Sequence, residues 1–298
     1  MARKNILHMI TPLRHMSPFD VNMALDAGFD AVIPYVDVEL SEVAGLVQDA
    51  IFSRPPDAGV NTGLFIAGKN VTLALDMLDA AKAALVPPFT LNIFADPAGS
   101  FTTAAAMVAK VEKALEKKFD RRLKDSRVAI FGATGVVGFC TAVIAAKEGA
   151  AVTLVGHDGL ARVQGIAAEI ESRFGEKVEI ADGSSDDKKA SIVAEAEIIL
   201  AAAKAGVRVI SRDHLEKASR LLIAADVNAV PPAGIEGVSV SADAEEIAGT
   251  SAVGIGPLAT GNVKYKTEFN LFKRMIEAQK TTSLDFQDAF SLAREIAK

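Results

Sequence analysis

The chain has 298 residues, half of them hydrophobic, and a formal net charge of −6. That length favours two domains of ordinary size, each with a real core. Charges of both signs are scattered, and no basic tract, zinc-ligand spacing or aromatic RNA-binding pattern occurs, so nucleic acid is not an expected partner.

In chain order, residues 5–10 read as a strand. A helix follows over 18–27, with Ser17 as cap and Pro18 in its first turn. Then come a strand over 31–36, a helix over 41–52 capped by Ser41, a Pro- and Gly-bearing loop over 53–61, and a strand over 63–67. A helix capped by Asn70 covers 70–85, a strand 89–94 and a helix 98–115. The charged segment 117–126 holds three lysines, two arginines and two aspartates and has little to bury. It reads as a boundary. Beyond it, strands are expected at 127–131, 151–155, 178–180, 198–201, 221–225 and 252–255, and helices at 267–279 and 283–297. Strands alternating with helices imply α/β architecture: two domains, each a mainly parallel sheet flanked by helices. The expected division is a substrate domain over 1–118, joined by helices from 267–298, a linker over 119–126, and a dinucleotide-binding domain over 127–266.

The most informative stretch is Arg127-Val-Ala-Ile-Phe-Gly-Ala-Thr-Gly-Val-Val-Gly-Phe-Cys140. A strand runs into Gly132, Gly135 and Gly138, and a small-residue helix follows. Strand, glycine turn and helix is the context in which such spacing points to a dinucleotide, because glycine lets backbone approach a pyrophosphate and the helix start attracts its charge. The same spacing also suits a tight turn without ligand. Cofactor contacts are expected from Gly132, Ala133, Thr134, Gly135, Val136, Val137 and Gly138. Ala201, at the end of the fourth strand of this set, is a further candidate. After the second strand come His157 and Asp158, with Arg162 one turn on. An acid there accepts from the ribose hydroxyls of NAD, and an arginine pairs with the 2′-phosphate of NADP. This pattern favours NAD with NADP open; Asp158 also suits a helix N-cap.

Three other segments follow strands. In 94–103, Asp96, Ser100, Thr102 and Thr103 gather at a helix start, as ligand contacts or as capping chemistry. In 226–235, Asp226 and Asn228 precede a double proline, at the cofactor face or as loop structure. In 254–266, glycines permit a loop near a ligand, with Lys264 and Lys266 just ahead of a helix, in contact with substrate or solvated. The four histidines have no metal-ligand spacing, and no metal is expected.

The lone cysteine, Cys140, allows no intramolecular disulfide, fits a reducing compartment and reads as a small buried apolar residue. No signal-peptide pattern is visible, and no apolar stretch approaches the about 20 residues needed to cross a bilayer. A cytoplasmic protein without membrane attachment is expected.

The glycine turn, the segments 95–103, 226–234 and 254–266, and the opening Leu7-His-Met-Ile-Thr-Pro-Leu-Arg-His-Met-Ser-Pro-Phe-Asp20 together resemble the bacterial methylene-tetrahydromethanopterin dehydrogenases. The similarity covers essentially the whole chain. It looks closest to the NAD(P)-dependent branch of methylotrophic bacteria; the strictly NADP-dependent branch carries arginine and lysine where this chain has His157 and Asp158. The resemblance implies a place in one-carbon metabolism, in formaldehyde oxidation, with hydride passing from methylene-tetrahydromethanopterin to a dissociable NAD or NADP. It implies a homo-oligomer built on a trimer. Hydride leaves without a proton, so no general base is required. Phe19 and Leu258 are expected as apolar walls; Asp20, Asp96, Ser100, Thr102 and Thr103 as contacts to the polar edge of the pterin; Lys264 or Lys266 as orienting its acidic tail. Tyr-x-x-x-Lys is absent, since Tyr35 and Tyr265 are followed four residues on by Glu39 and Phe269. That absence implies dehydrogenase without cyclohydrolase activity. Two rivals remain at this stage: a shikimate-type dehydrogenase using Lys69 and Asp96, and a non-catalytic dinucleotide sensor.

Overall fold

The structure is a computed structural model that describes residues 3–298. By its contacts the chain divides into two units. One runs to Thr102 and takes in Tyr265–Leu292; the other holds Thr103–Lys264 and Ala293–Lys298.

The first unit begins with β1 (Ile6–Ile10), α1 (Pro18–Ala27), β2 (Ala31–Tyr35), α2 (Val43–Phe52), β3 (Thr62–Ile66), α3 (Val71–Ala83) and β4 (Asn92–Ala95). The helix α4 (Ser100–Phe119) leads into the second unit. The second unit contains β5 (Arg127–Phe131), α5 (Val136–Lys147), β6 (Ala151–Gly156), α6 (Ala161–Phe174), β7 (Glu179–Asp182), α7 (Asp186–Glu195), β8 (Ile198–Ala201), α8 (Arg212–Glu216), β9 (Ile223–Asp226), β10 (Asp243–Glu246) and β11 (Val253–Ile255). The chain then passes through α9 (Pro257–Glu277), β12 (Ser283–Leu284) and α10 (Phe286–Ile296).

The sheet of the first unit is wholly parallel, in the order β12-β4-β3-β1-β2. Its central strand β3 is buried at every position, as a strand covered on both faces must be. Phe65, Phe94 and Phe272 pack with ring centroids 5.2–5.3 Å apart. Asn92 is buried and fully used: its amide donates to Val60 O and Met275 O at 3.0 and 3.1 Å, and its carbonyl accepts from Thr282 N at 2.9 Å. That side chain docks the returning segment whose two residues form β12. So short a strand has no period of its own, which is why the sequence suggests helix from 283.

The sheet of the second unit runs β10-β11-β9-β8-β5-β6-β7, parallel throughout except at β10. From β7 to β11 this is the doubly wound order, whose direction reverses between β5 and β8. Ligands bind such sheets outside the carboxyl ends of the strands at that reversal. The helix α5 is buried from Gly138 through Ala146, Cys140 included. A helix apolar on all sides belongs in the interior.

Several expected boundaries move. Residues 56–61 form a short 3-10 turn within the expected loop. The second helix starts at Val43, not Ser41, after a 3-10 turn in which Glu42 accepts from Glu39 N at 2.7 Å. Lys117 and Lys118 continue α4, because lysines at a helix end complement its dipole. The expected loop over 254–266 is largely helix. Pro257, suited to a first helical position, starts α9 ten residues before the expected helix at 267. Lys264 and Lys266 therefore project from a helix.

Candidate functional site

Beyond β5, a turn closes as Gly135 N donates to Gly132 O at 3.0 Å. Gly132 has φ +88°, and a Cβ there would lie 2.4 Å from Ala202 O. Only glycine can pass so close to the end of β8. At Gly138 a Cβ would meet Gly132 O at 2.4 Å, so the helix can seat against its own turn only with glycine there. Gly135 differs. Its φ is −88°, and the nearest atom to an added Cβ is Gly132 O at 3.5 Å. Nothing within the protein demands glycine at that position. It is the N-cap of α5 and offers no capping side chain, so the first N–H groups of that helix await an acceptor.

Gly132, Thr134 and Gly135 line a cavity of about 750 Å³. His157 lines it from the end of β6, Arg162 from the start of α6, and Ala202 and Ala203 from the end of β8. Arg162 Nη2 donates to Thr134 Oγ1 at 3.4 Å. The arrangement fits a dinucleotide diphosphate: an uncapped helix start, a turn that needs no Cβ at Gly135, and cationic walls.

Other expected cofactor residues fall elsewhere. Asp158 is not on the wall; its Oδ2 lies 3.6 Å from Arg162 Nη1. Nor does it cap α6, whose N-cap is Leu160. Ala201 is buried in the core of the sheet, one residue short of the wall. Ala133 and Gly138 are buried, and neither they nor Val136 and Val137 line the cavity. Asp226 and Asn228 turn into their own loop. Asp226 accepts from Asn228 N at 2.9 Å and Ile235 N at 3.1 Å; burial pushes its carboxyl above the ordinary range. Asn228 donates to Pro232 O and accepts from Val230 N and Gly206 N at 2.8–3.1 Å. The last of these ties it to the segment that carries Lys204 and Val207 into the cavity wall. Gly183, Ser184, Lys189, Lys204 and Arg208 also line the cavity without having been expected there. Gly183, Ser184, Lys189 and Lys204 follow strand ends or open the next helix, a signal the sequence does carry; Arg208 lies in the irregular segment between β8 and α8 and carries none.

In the first unit, Asp96 directly follows β4 and is completely buried. It accepts from Phe101 N at 2.8 Å, Thr102 N at 3.2 Å and Thr102 Oγ1 at 2.6 Å. Asp96 and Thr102 thus cap α4 between them, while Ser100 and Thr103 stay half-buried. The turn ahead of the helix is unusual: Ala98 and Gly99 both have positive φ, 54° and 63°. Phe19 is 48% exposed and Tyr265 49%, and the two rings meet edge to face at 6.4 Å. Asp20, next to Phe19, is buried. The contact of Tyr265 with Phe19 carries no signal in the sequence, where the tyrosine stands between two lysines. In the second unit Leu258 is exposed at the start of α9. Lys264 is half-buried and Lys266 exposed. Lys69 is exposed, and with the Asp96 carboxylate engaged in the cap, the pair needed for shikimate-type chemistry is not supported.

Among the described residues no helix is long and apolar enough to cross a membrane, and no group of three or more His, Cys, Asp and Glu could hold a metal ion.

Residues 18–98 match the family described as "Methylene-tetrahydromethanopterin dehydrogenase, N-terminal". The chain is 55% identical over 297 residues to the NAD(P)-dependent methylenetetrahydromethanopterin dehydrogenase of Methylorubrum extorquens, covering 100% of both chains. It is 30% identical to the bifunctional protein MdtA of the same organism, covering 94% of this chain and 95% of that one. Among solved structures, shikimate 5-dehydrogenase from Listeria monocytogenes, crystallised with shikimate and NAD, aligns with a TM-score of 0.52 at 16% identity, over 99% of this chain and 96% of that one. That likeness concerns the fold alone.

Proposed function

The chain belongs to the methylene-tetrahydromethanopterin dehydrogenases, and on that premise we propose that it passes a hydride from methylene-tetrahydromethanopterin to NAD(P), giving the methenyl product in one-carbon metabolism. The observation that carries this reading is the open start of α5 beside a cation-lined cavity, in a chain 55% identical along its length to such an enzyme. The dinucleotide supplies the hydride acceptor. The residues of the chain do the placing. The turn from Gly132 to Gly138 and the N–H groups of Val136 and Val137 hold the diphosphate, and His157 and Arg162 meet the adenosine side. Asp226 and Asn228 act at one remove: through Gly206 N they hold the rim that bears Lys204.

In the first unit, the exposed edge of Phe19 against Tyr265 gives the pterin a flat apolar wall. Asp20, Ser100 and Thr103 lie on the same unit as candidates for its polar edge, and Asp96 with Thr102 keeps the start of α4 rigid. Leu258 is a further apolar contact. Lys264 or Lys266 orients the acidic tail of the substrate. No general base is needed, because hydride departs alone. With no lysine four residues after either tyrosine, the methenyl product is not hydrolysed by the protein. The enzyme is cytoplasmic, needs no metal and works as a homo-oligomer built on a trimer.

One assay tests the reading: formation of NADH or NADPH with methylene-tetrahydromethanopterin, methylene-tetrahydrofolate or shikimate offered separately. Turnover is expected with the methanopterin, and loss of the methenyl product no faster than in buffer. Turnover of shikimate, or binding of dinucleotide with turnover of none of the three, overturns it.

A further inference from the structure

The cavity beside the glycine turn has a one-sided charge. Arg162, Lys189, Lys204 and Arg208 line it, and among the described residues no aspartate or glutamate does. A dinucleotide with a free 2′-hydroxyl calls for a carboxylate at the end of the second strand. The carboxylate available there, Asp158, stands off the wall and faces Arg162 Nη1 at 3.6 Å. Arg162 is thereby held with its other nitrogen at Thr134, beside the diphosphate turn.

The neighbouring strand β7 brings a second cation to the same cavity. Gly183 N donates to Gly156 O at 2.8 Å, and a Cβ on Gly183 would meet Val155 Cγ1 at 2.5 Å. The two strand ends are pressed together, so the residue after Gly183, Ser184, joins the wall that His157 and Arg162 form. Two lysines follow in α7, and the structure separates their tasks. Lys188 Nζ is bound by Asp182 Oδ2 at 2.5 Å and Ser184 Oγ at 3.3 Å. Lys189, about 100° further round the helix, lines the cavity and is only 24% exposed; it pairs at 3.3 Å with Asp186, itself 86% exposed. A pair so open to water is worth little and is readily exchanged for a better anion.

We propose that Arg162 and Lys189, with the Ser184 hydroxyl, form a seat for a phosphate monoester, the 2′-phosphate of an NADP-type dinucleotide, and that this seat makes the protein prefer the phosphorylated cofactor to NAD. The proposal rests on the cavity being the dinucleotide site. A phosphate monoester carries about −1.5 to −2 charges at pH 7. The planar guanidinium grips it in two places and the ammonium adds a point charge. NAD keeps the diphosphate contacts at α5 but leaves this seat unused. The preference is opposite to the one that Asp158 suggests when the sequence is read alone.

Calorimetric titration of the full-length protein with NADP, NAD, 2′,5′-ADP and 5′-AMP tests it. The wild-type protein is expected to bind NADP about tenfold or more tightly than NAD, as befits charged hydrogen bonds made to one and not the other. Lys189→Ala is expected to weaken NADP and 2′,5′-ADP by about tenfold while NAD and 5′-AMP change by less than about twofold; Arg162→Ala, which also removes a contact on the adenosine side, is expected to weaken NADP and 2′,5′-ADP about tenfold more than NAD and 5′-AMP. Lys177→Ala, which removes a lysine paired with Glu171 at 3.6 Å away from the cavity wall, is expected to leave all four unchanged. Wild-type protein that binds both dinucleotides but holds NAD as tightly as NADP overturns the seat, as does a Lys189→Ala variant that loses nothing or loses equally on both. Wild-type protein that binds neither dinucleotide overturns the proposed function and the seat together.

Discussion

Two segments of this chain have the same plan, a parallel strand running through a turn into a helix, and opposite chemistry. After β4, Asp96 reaches into the turn and satisfies Phe101 N, Thr102 N and the Thr102 hydroxyl. After β5, Gly135 brings no side chain to the start of α5. The first helix is completed from within; the second has no side-chain cap. Polar residues gathered at a helix start therefore point less strongly to a binding site than their absence does. A buried donor seldom goes without an acceptor, and a chain that omits its own cap at the end of a central strand leaves room for a phosphate.

Substitutions at three positions break or sharpen that contrast, and they order by their effect on stability. Gly138→Ala sets a Cβ 2.4 Å from Gly132 O. Backbone lies on both sides of that contact and has nowhere to yield, so the loss is expected at about 3 kcal/mol, the upper end for overpacking. Urea denaturation measures it, and an unchanged midpoint would show that turn and helix are not packed as described. Asp96→Ala strips α4 of its internal cap and is expected to cost about 2 kcal/mol. Its dinucleotide affinity should stay at the wild-type value, since the segment belongs to the other unit; weakened NADP binding by the folded variant would contradict the separation of roles. Gly135→Ala is the mildest for the fold and the most telling for function. With negative φ and no atom nearer than 3.5 Å, it should shift stability by less than about 0.5 kcal/mol, as surface substitutions do. Its methyl group would stand where the diphosphate must approach, so dinucleotide affinity should fall about tenfold or more. A variant that keeps full affinity would move the diphosphate away from this turn.

The glycine turn was legible because its signal is local: a strand, three glycines in seven residues and an apolar helix. The alternation of strands and helices was legible for the same reason. Lys264 and Lys266 were misread as loop residues because Gly254, Gly256 and Gly261 suggest irregular backbone, whereas Pro257 begins a helix that carries Gly261 along. Tertiary packing overrides a glycine that costs a helix about 1 kcal/mol. Asp226 and Asn228 stand after a strand, as ligand-binding residues do. Only the structure shows them spent on Gly206, Ile235 and Pro232.

By itself, then, the sequence determined the α/β class, the place of the glycine turn and the likeness to a pterin dehydrogenase, since period, turn chemistry and motif are properties of neighbouring residues. The tertiary structure alone decided which charges meet around the cavity. Lys189 stands 27 positions along the chain from Arg162; the pairing of β6 with β7 brings both to one wall and leaves Asp158 off it. Which side chain faces a cavity depends on strand order and on the close approach of backbones far apart in sequence, and no local pattern records either.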